Sequence, residues 1–191
     1  MWKVLIVSGS RESAGKIAAE LENFKNEGVD VSTAESGDDA RRLAAEFCFD
    51  LALINAPLLD ELGSALAKTL AAGSATQVIL LVRAAIAGEV GQDAEEYGVF
   101  TVPKPFSREQ LWSALKFASA ARNRMKRLEV ENTRLLGKLE DIKLIDRAKC
   151  ILIEHLAMTE QQAHKHIEKE AMDRRVSRRE IANNILRTYE K

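Results

Sequence analysis

The chain has 191 residues, 46% of them hydrophobic and 30% charged, with a formal net charge of −1, a composition that can bury a real core in one domain or two. No apolar run approaches the ~20 residues of a membrane helix, and the opening Met1-Trp2-Lys3-Val4-Leu5-Ile6-Val7 lacks the layout of a cleavable signal, so a cytoplasmic protein away from the membrane is expected. Cys48 and Cys150 stand far apart without CxxC spacing, which argues against a disulfide framework or a zinc site.

The first part alternates apolar strands with amphipathic helices, the pattern of a parallel sheet covered on both faces. Strands are expected at Lys3–Val7, Val29–Thr33, Leu51–Ile54, Val78–Val82 and Val99–Val102. Helices fall between them: Arg11–Asn26 carries Ile17, Leu21 and Phe24 at helical spacing, Asp38–Phe47 follows Gly37, and a third lies near Glu61–Ala71. Asp60 and Glu61 stand at that third start, where acids complement the helix dipole. The fifth helix opens at Ser107, with Gln110 completing a capping box.

Beyond Ser107 there is no strand signal, no proline after Pro105 and a single glycine, Gly137, so one long helix is the economical reading. With Met125 at heptad position a, Leu128 falls at d, Asn132 at a, Leu135 at d, Leu139 at a and Ile142 at d. A lone asparagine at an a position penalises shifted registers, which points to a parallel two-stranded coiled coil and hence a homodimer, the alternative over so few heptads being a monomeric helix that folds back on its own domains. Two capped helices follow, starting near Thr159 (with Gln162) and Ser177 (with Glu180). Ala163, Ile167 and Ala171 line one of them and Ile181, Ile185 and Leu186 the other, while Ile151, Leu152 and Leu156 complete a small three-helix core. The domains expected are 1–120, a dimerisation helix over 121–144, and a helical module over 145–191. Charge divides unevenly: residues 1–121 hold 11 Lys and Arg against 17 Asp and Glu, and residues 122–191 hold 17 against 12. The basic second part suggests a polyanionic partner or, equally, a solvated helical surface.

The first part resembles a response-regulator receiver, a CheY-like doubly wound parallel sheet. That family holds magnesium with an acidic pair after the first strand and carries an aspartate after the third, a hydroxyl after the fourth and a lysine after the fifth. Here the corresponding residues are Ser8-Gly9-Ser10, Asn55 and Val82, and only Lys104, followed by Pro105-Phe106, keeps the pattern. An amide oxygen is too weak a nucleophile to accept a phosphoryl group, and without paired carboxylates little would hold a hard cation. The expectation is a pseudo-receiver that is not phosphorylated and that answers to a sequestering or signalling protein.

The second part resembles the ANTAR module of transcription antitermination regulators. The resemblance rests on Ile145-Asp146-Arg147-Ala148-Lys149-Cys150-Ile151-Leu152, Thr159-Glu160-Gln161-Gln162-Ala163, Glu170-Ala171-Met172 and Glu180-Ile181-Ala182-Asn183-Asn184-Ile185-Leu186. It implies a three-helix bundle, after a receiver-like domain and a coiled coil, in a dimer that binds RNA stem-loops in messenger leaders and keeps a terminator from forming. Lys143 and Arg147 share a helix face, and Lys149 and the cluster Arg174, Arg175, Arg178 and Arg179 join them as candidates for one RNA-binding surface. An alanine such as Ala148 is more often a packing residue, but the family pattern also allows RNA to approach the helix closely there. Tyr189 is the only aromatic beyond Phe117, so recognition would rest on shape, phosphate contacts and base edges rather than on a stacking sheet.

His164 and His166 are two apart, which puts them on different helix faces and argues against a metal pair. No cofactor, metal ligand set or catalytic apparatus is expected. The rival readings are a DNA-binding response regulator using the two capped helices as a helix-turn-helix, and a protein-interaction adaptor.

Overall fold

The computed structural model describes residues 2–24, 28–73 and 76–189 and divides the chain into two compact units, Met1–Lys126 and Arg127–Lys191. In the first unit β1 (Trp2–Ser8), α1 (Arg11–Phe24), β2 (Val29–Ala34), α2 (Gly37–Glu46), β3 (Leu51–Asn55), α3 (Ser64–Gly73), β4 (Gln77–Arg83), α4 (Ala84–Glu95) and β5 (Phe100–Lys104) succeed one another. All strand pairs are parallel, in the order β2-β1-β3-β4-β5. Strand order reverses between β1 and β3, where Ser8 stands opposite Asn55. In open α/β sheets the crevice at such a point is where ligands bind.

The strands read as nearly unbroken apolar runs because helices cover both sheet faces. Leu5, Val7, Ala52, Ile54, Leu80 and Val82 pack under α2, α3 and α4 through Ala40, Leu66, Leu70 and Ala94. The alternate residues Val4, Ile6, Leu51, Leu53, Ile79 and Leu81 pack on the other face against Ile17 and Leu21 of α1 and against Leu111 and Leu115 of the long α5 (Arg108–Leu156).

Two local expectations are corrected, and one falls partly outside the described residues. The helix expected to reach Asn26 is seen to Phe24, and Asn26 lies outside the described residues. The third helix begins at Ser64, not near Glu61, because Gly63 takes a left-handed backbone (φ 86°) just before it. Asp60 and Glu61 therefore serve α2. Asp60 accepts from the backbone N–H groups of Gly37 (2.8 Å) and Asp38 (3.1 Å), and Glu61 accepts two bonds from Arg41, each 2.9 Å. Gly37 makes this clasp possible, since a Cβ there would stand 2.1 Å from Glu61 Oε1. These backbone bonds hold the Asp60 carboxyl below the ordinary carboxylate range. The helix between β4 and β5 follows from the alternation, yet α4 opens without a side-chain cap.

Helix α5 is continuous over 49 residues and starts with the expected reciprocal cap, Ser107 N–H to Gln110 Oε1 at 2.7 Å and Gln110 N–H to Ser107 Oγ at 3.3 Å. In the second unit the end of α5 packs with α6 (Glu160–Arg174) and α7 (Arg178–Tyr189). Thr159 caps α6 together with Gln162, and Ser177 accepts from Glu180 N–H at 3.2 Å. The core contains the expected Ile151, Leu152, Ala163, Ile167, Ala171, Ile181, Ile185 and Leu186, along with Ala148 and Ala182, both fully buried. Leu156, expected in that core, is instead 45% exposed. It is the last residue of α5, and the chain turns immediately through Ala157 at φ 51°, so that Met158 packs against the core instead.

Candidate functional site

At the carboxyl end of β3 the polar side chains form one connected chain. Asn55, the last residue of β3, donates through Nδ2 to Ser8 Oγ at 3.0 Å and accepts at Oδ1 from Lys104 Nζ at 2.9 Å. Lys104 also donates to the Ala56 carbonyl, and Ser8 Oγ donates to the Ser10 carbonyl at 3.1 Å. An aspartate at position 55 could not donate to Ser8, so the amide is what completes the chain. Burial, with the Arg83 guanidinium second, holds the Lys104 ammonium below its ordinary range.

Val82 does not stand where sequence spacing placed it. Its side chain is buried among α2, α3 and α4, and its register partner is Pro103. The residue beside Lys104 is the next one, Arg83, exposed at the strand end. Strand side chains alternate between faces, so a one-residue difference moves a position from the crevice into the core. The signal available in the sequence was that Arg83 is the first polar residue after the apolar run Val78–Val82.

Along α5 the seam residues Met125, Leu128, Leu135, Leu139 and Ile142 are each between 44% and 55% exposed, and Asn132 is exposed as well. Within this chain, that apolar stripe is left largely uncovered.

The basic candidates alternate with acids. Lys149 pairs with Asp146 (2.8 Å) and Glu160 (3.3 Å), Arg174 with Glu170 (2.7 Å), Arg178 with Glu168 (3.0 Å), and Arg179 with Asp141 (2.8 Å) and Glu140 (4.0 Å). Neighbours in sequence, Arg178 and Arg179 thus turn to different helices, α6 and α5. Lys143 and Arg147 are exposed on α5, and Arg175 is the left-handed C-cap of α6 at φ 54°. Ala148 is fully buried within the three-helix core, a packing residue rather than a surface contact. Part of the charge asymmetry also moves: Arg122, Arg124 and Lys126 fall in the first unit, leaving 14 Lys and Arg against 12 Asp and Glu over Arg127–Lys191. Sequence reasoning missed a hollow of about 270 Å³ between α5, α6 and α7, lined among others by His166, Arg174, Asn184 and Tyr189. His166 and Arg174 share one face of α6 while Asn184 and Tyr189 lie on α7, and no spacing in the sequence brings the two helices together.

Among the described residues no group of three or more His, Cys, Asp or Glu side chains is placed to hold a metal ion, and no helix is long and apolar enough to cross a membrane.

The first unit is a CheY-like fold. It superposes on a CheY-like response regulator receiver domain protein from Methanospirillum hungatei JF-1 with a TM-score of 0.58 and 20% identity, over 65% of this chain and 98% of that one. For a receiver domain protein from Clostridium thermocellum the values are 0.57 and 21%, over 67% and 99%. Residues 133–186, within the second unit, match the model of the ANTAR domain. The chain is also similar to the transcriptional regulatory protein PdtaR of Mycobacterium tuberculosis (strain H37Rv), 29% identical over 168 residues that cover 87% of this chain and 82% of that protein.

Proposed function

We infer that the chain is a transcriptional regulator of the antitermination type, which binds stem-loops in nascent messenger leaders and disfavours the terminator hairpin. The observation that carries this reading is the ANTAR domain over residues 133–186, supported by the likeness to a transcriptional regulatory protein over most of both chains. The protein acts in the cytoplasm, carries out no catalysis of its own, and holds RNA through the exposed Lys143 and Arg147 together with Lys149, Arg174, Arg175, Arg178 and Arg179. Because exposed ion pairs contribute little, phosphates can take over these cations from their acidic partners at small cost, and the intervening acids confine binding to RNA whose shape fits.

The protein works as a homodimer joined along Met125, Leu128, Asn132, Leu135, Leu139 and Ile142. Two RNA-binding modules in one particle raise the effective concentration for a second hairpin. The first unit is a pseudo-receiver: with Asn55 and Ser8 where carboxylates would be needed, control comes from a bound partner rather than from phosphorylation. Changing Arg147 and Lys149 together to alanine tests the RNA reading. Loss of binding to a leader hairpin, with the circular dichroism spectrum unchanged, is the expected result; unchanged binding would contradict it and favour a protein adaptor.

A further inference from the structure

The hollow between α5, α6 and α7 is lined by polar side chains that the fold leaves unanswered. His166, Glu170 and Arg174 follow one another at four-residue spacing on one face of α6, and Asn184 and Thr188 do the same on α7. Thr188 donates to the Asn184 carbonyl at 2.8 Å, yet among the described residues the Asn184 amide, the His166 imidazole and the Tyr189 hydroxyl make no hydrogen bond. The apolar part of the lining is Leu152, Ile181 and Ile185, all buried, with Leu156 45% exposed. The Tyr189 ring stands 5.2 Å from that of His155, tilted by 33°.

An apolar lining with a few convergent hydrogen-bonding groups is the make-up of a small-ligand site. At about 270 Å³, just under the roughly 300–1,000 Å³ of drug-sized sites, this one has room for a single ring system. A nucleobase meets both requirements. Its faces stack on aromatic rings, and its edge sets a donor beside an acceptor, which a carboxamide matches: asparagine bonds the N7 and amino group of adenine together. Arg174 is exposed, and its ion pair with Glu170 (2.7 Å) is weak enough to yield to a phosphate. We propose that this hollow is a slot for one unstacked adenine base, held by the Asn184 amide and the Tyr189 ring, with the Arg174 guanidinium on the adjoining phosphate. The slot follows from the second unit alone. That the base comes from a hairpin loop rests on the RNA reading above, since unpaired loop bases are the ones open to such capture; a free adenine nucleotide carries the same chemistry.

The test is a titration of the full-length, nitrogen-15-labelled protein at constant ionic strength, followed through the backbone amide signals of His166, Asn184 and Thr188. The probes are adenosine monophosphate, ribose 5-phosphate and two RNA hairpins of one stem, the first with an all-adenosine loop and the second with that loop abasic. Saturable shifts with adenosine monophosphate but not with ribose 5-phosphate are expected, weakened about tenfold in N184A, as befits loss of a two-bond base contact. Because Asn184 is exposed, that variant keeps its fold, which the unshifted remainder of the spectrum verifies; N184D, of the same shape without the donor, should weaken binding alike. Shifts of the same amides by the adenosine loop and not by the abasic one assign the slot to RNA, whereas saturation by the mononucleotide alone assigns it to a free nucleotide. Equal shifts with ribose 5-phosphate, or binding that both variants leave unchanged, would overturn the proposal. So would the absence of saturation by either adenosine probe, an outcome that leaves the RNA reading intact where the hairpins bind elsewhere on the protein.

Discussion

Lys104 Nζ donates to Asn55 Oδ1 across 2.9 Å, and the amide passes the connection on to Ser8 through a 3.0 Å bond from Nδ2. In this arrangement a neutral side chain keeps a half-buried cation and a buried hydroxyl satisfied together. Asn55→Ala removes both bonds and strands the ammonium on the Ala56 carbonyl. Urea unfolding should show a loss of about 1–3 kcal/mol, the cost of leaving buried polar groups unpaired. No change in the midpoint would mean that the chain of bonds is incidental.

Phosphorylation chemistry should be absent. Incubated with a small phosphodonor and magnesium, the intact protein should keep its mass, because the acceptor position is an amide and the segment after β1 offers no acidic pair. A stable added phosphoryl group on any aspartate would contradict the pseudo-receiver.

The clasp on α2 makes a pH prediction. Asp60 has its folded pKa lowered by the Gly37 and Asp38 N–H groups, so the stability it contributes is fully present above the ordinary carboxyl pKa. That contribution is lost as pH falls through the depressed folded value. Asp60→Asn should flatten the acid side of the stability profile in this window and leave the neutral and alkaline sides parallel to the parent. An identical acid limb would show that Asp60 is not the titrating cap.

Much of this architecture was legible because burial writes itself into periodicity. The runs around Leu5, Leu53 and Leu80 are apolar at every position because both faces of the sheet are covered. The caps Ser107–Gln110 and Thr159–Gln162 were legible because each is a local bond between residues three apart. What escaped depends on tertiary placement. The partners of Arg178 and Arg179 lie on other helices, and Asp60 caps a helix 22 residues upstream of itself. Arg83 was missed by a single position at a strand end.

At the end of α6, Arg175 adopts φ 54°, a conformation that costs a non-glycine residue roughly 1 kcal/mol. Val176 N–H bonds back to the Ala171 carbonyl at 3.0 Å, closing the helix end. Arg175→Gly should therefore raise stability by about 1 kcal/mol. Hairpin affinity of the same variant reads the role of the guanidinium separately: tighter folding with weaker RNA binding is expected, and a loss of stability would contradict the backbone argument.

The uncovered seam predicts its own failure. Leu135→Glu places a charge in the middle of the stripe, so light scattering should show the particle mass halved, and affinity for a two-hairpin RNA should fall about a hundredfold or more. Affinity for a single hairpin should change little. A parent protein already monomeric at working concentration would remove the coiled coil from the mechanism.

The most direct test compares binding of the full-length protein to a leader stem-loop RNA and to duplex DNA of equal length at one salt concentration, since backbone attraction is salt-dependent for both polymers. The account predicts saturable binding to the stem-loop that depends on its loop sequence, with duplex DNA held only weakly. Equal affinity for both, or preference for the duplex, would contradict it.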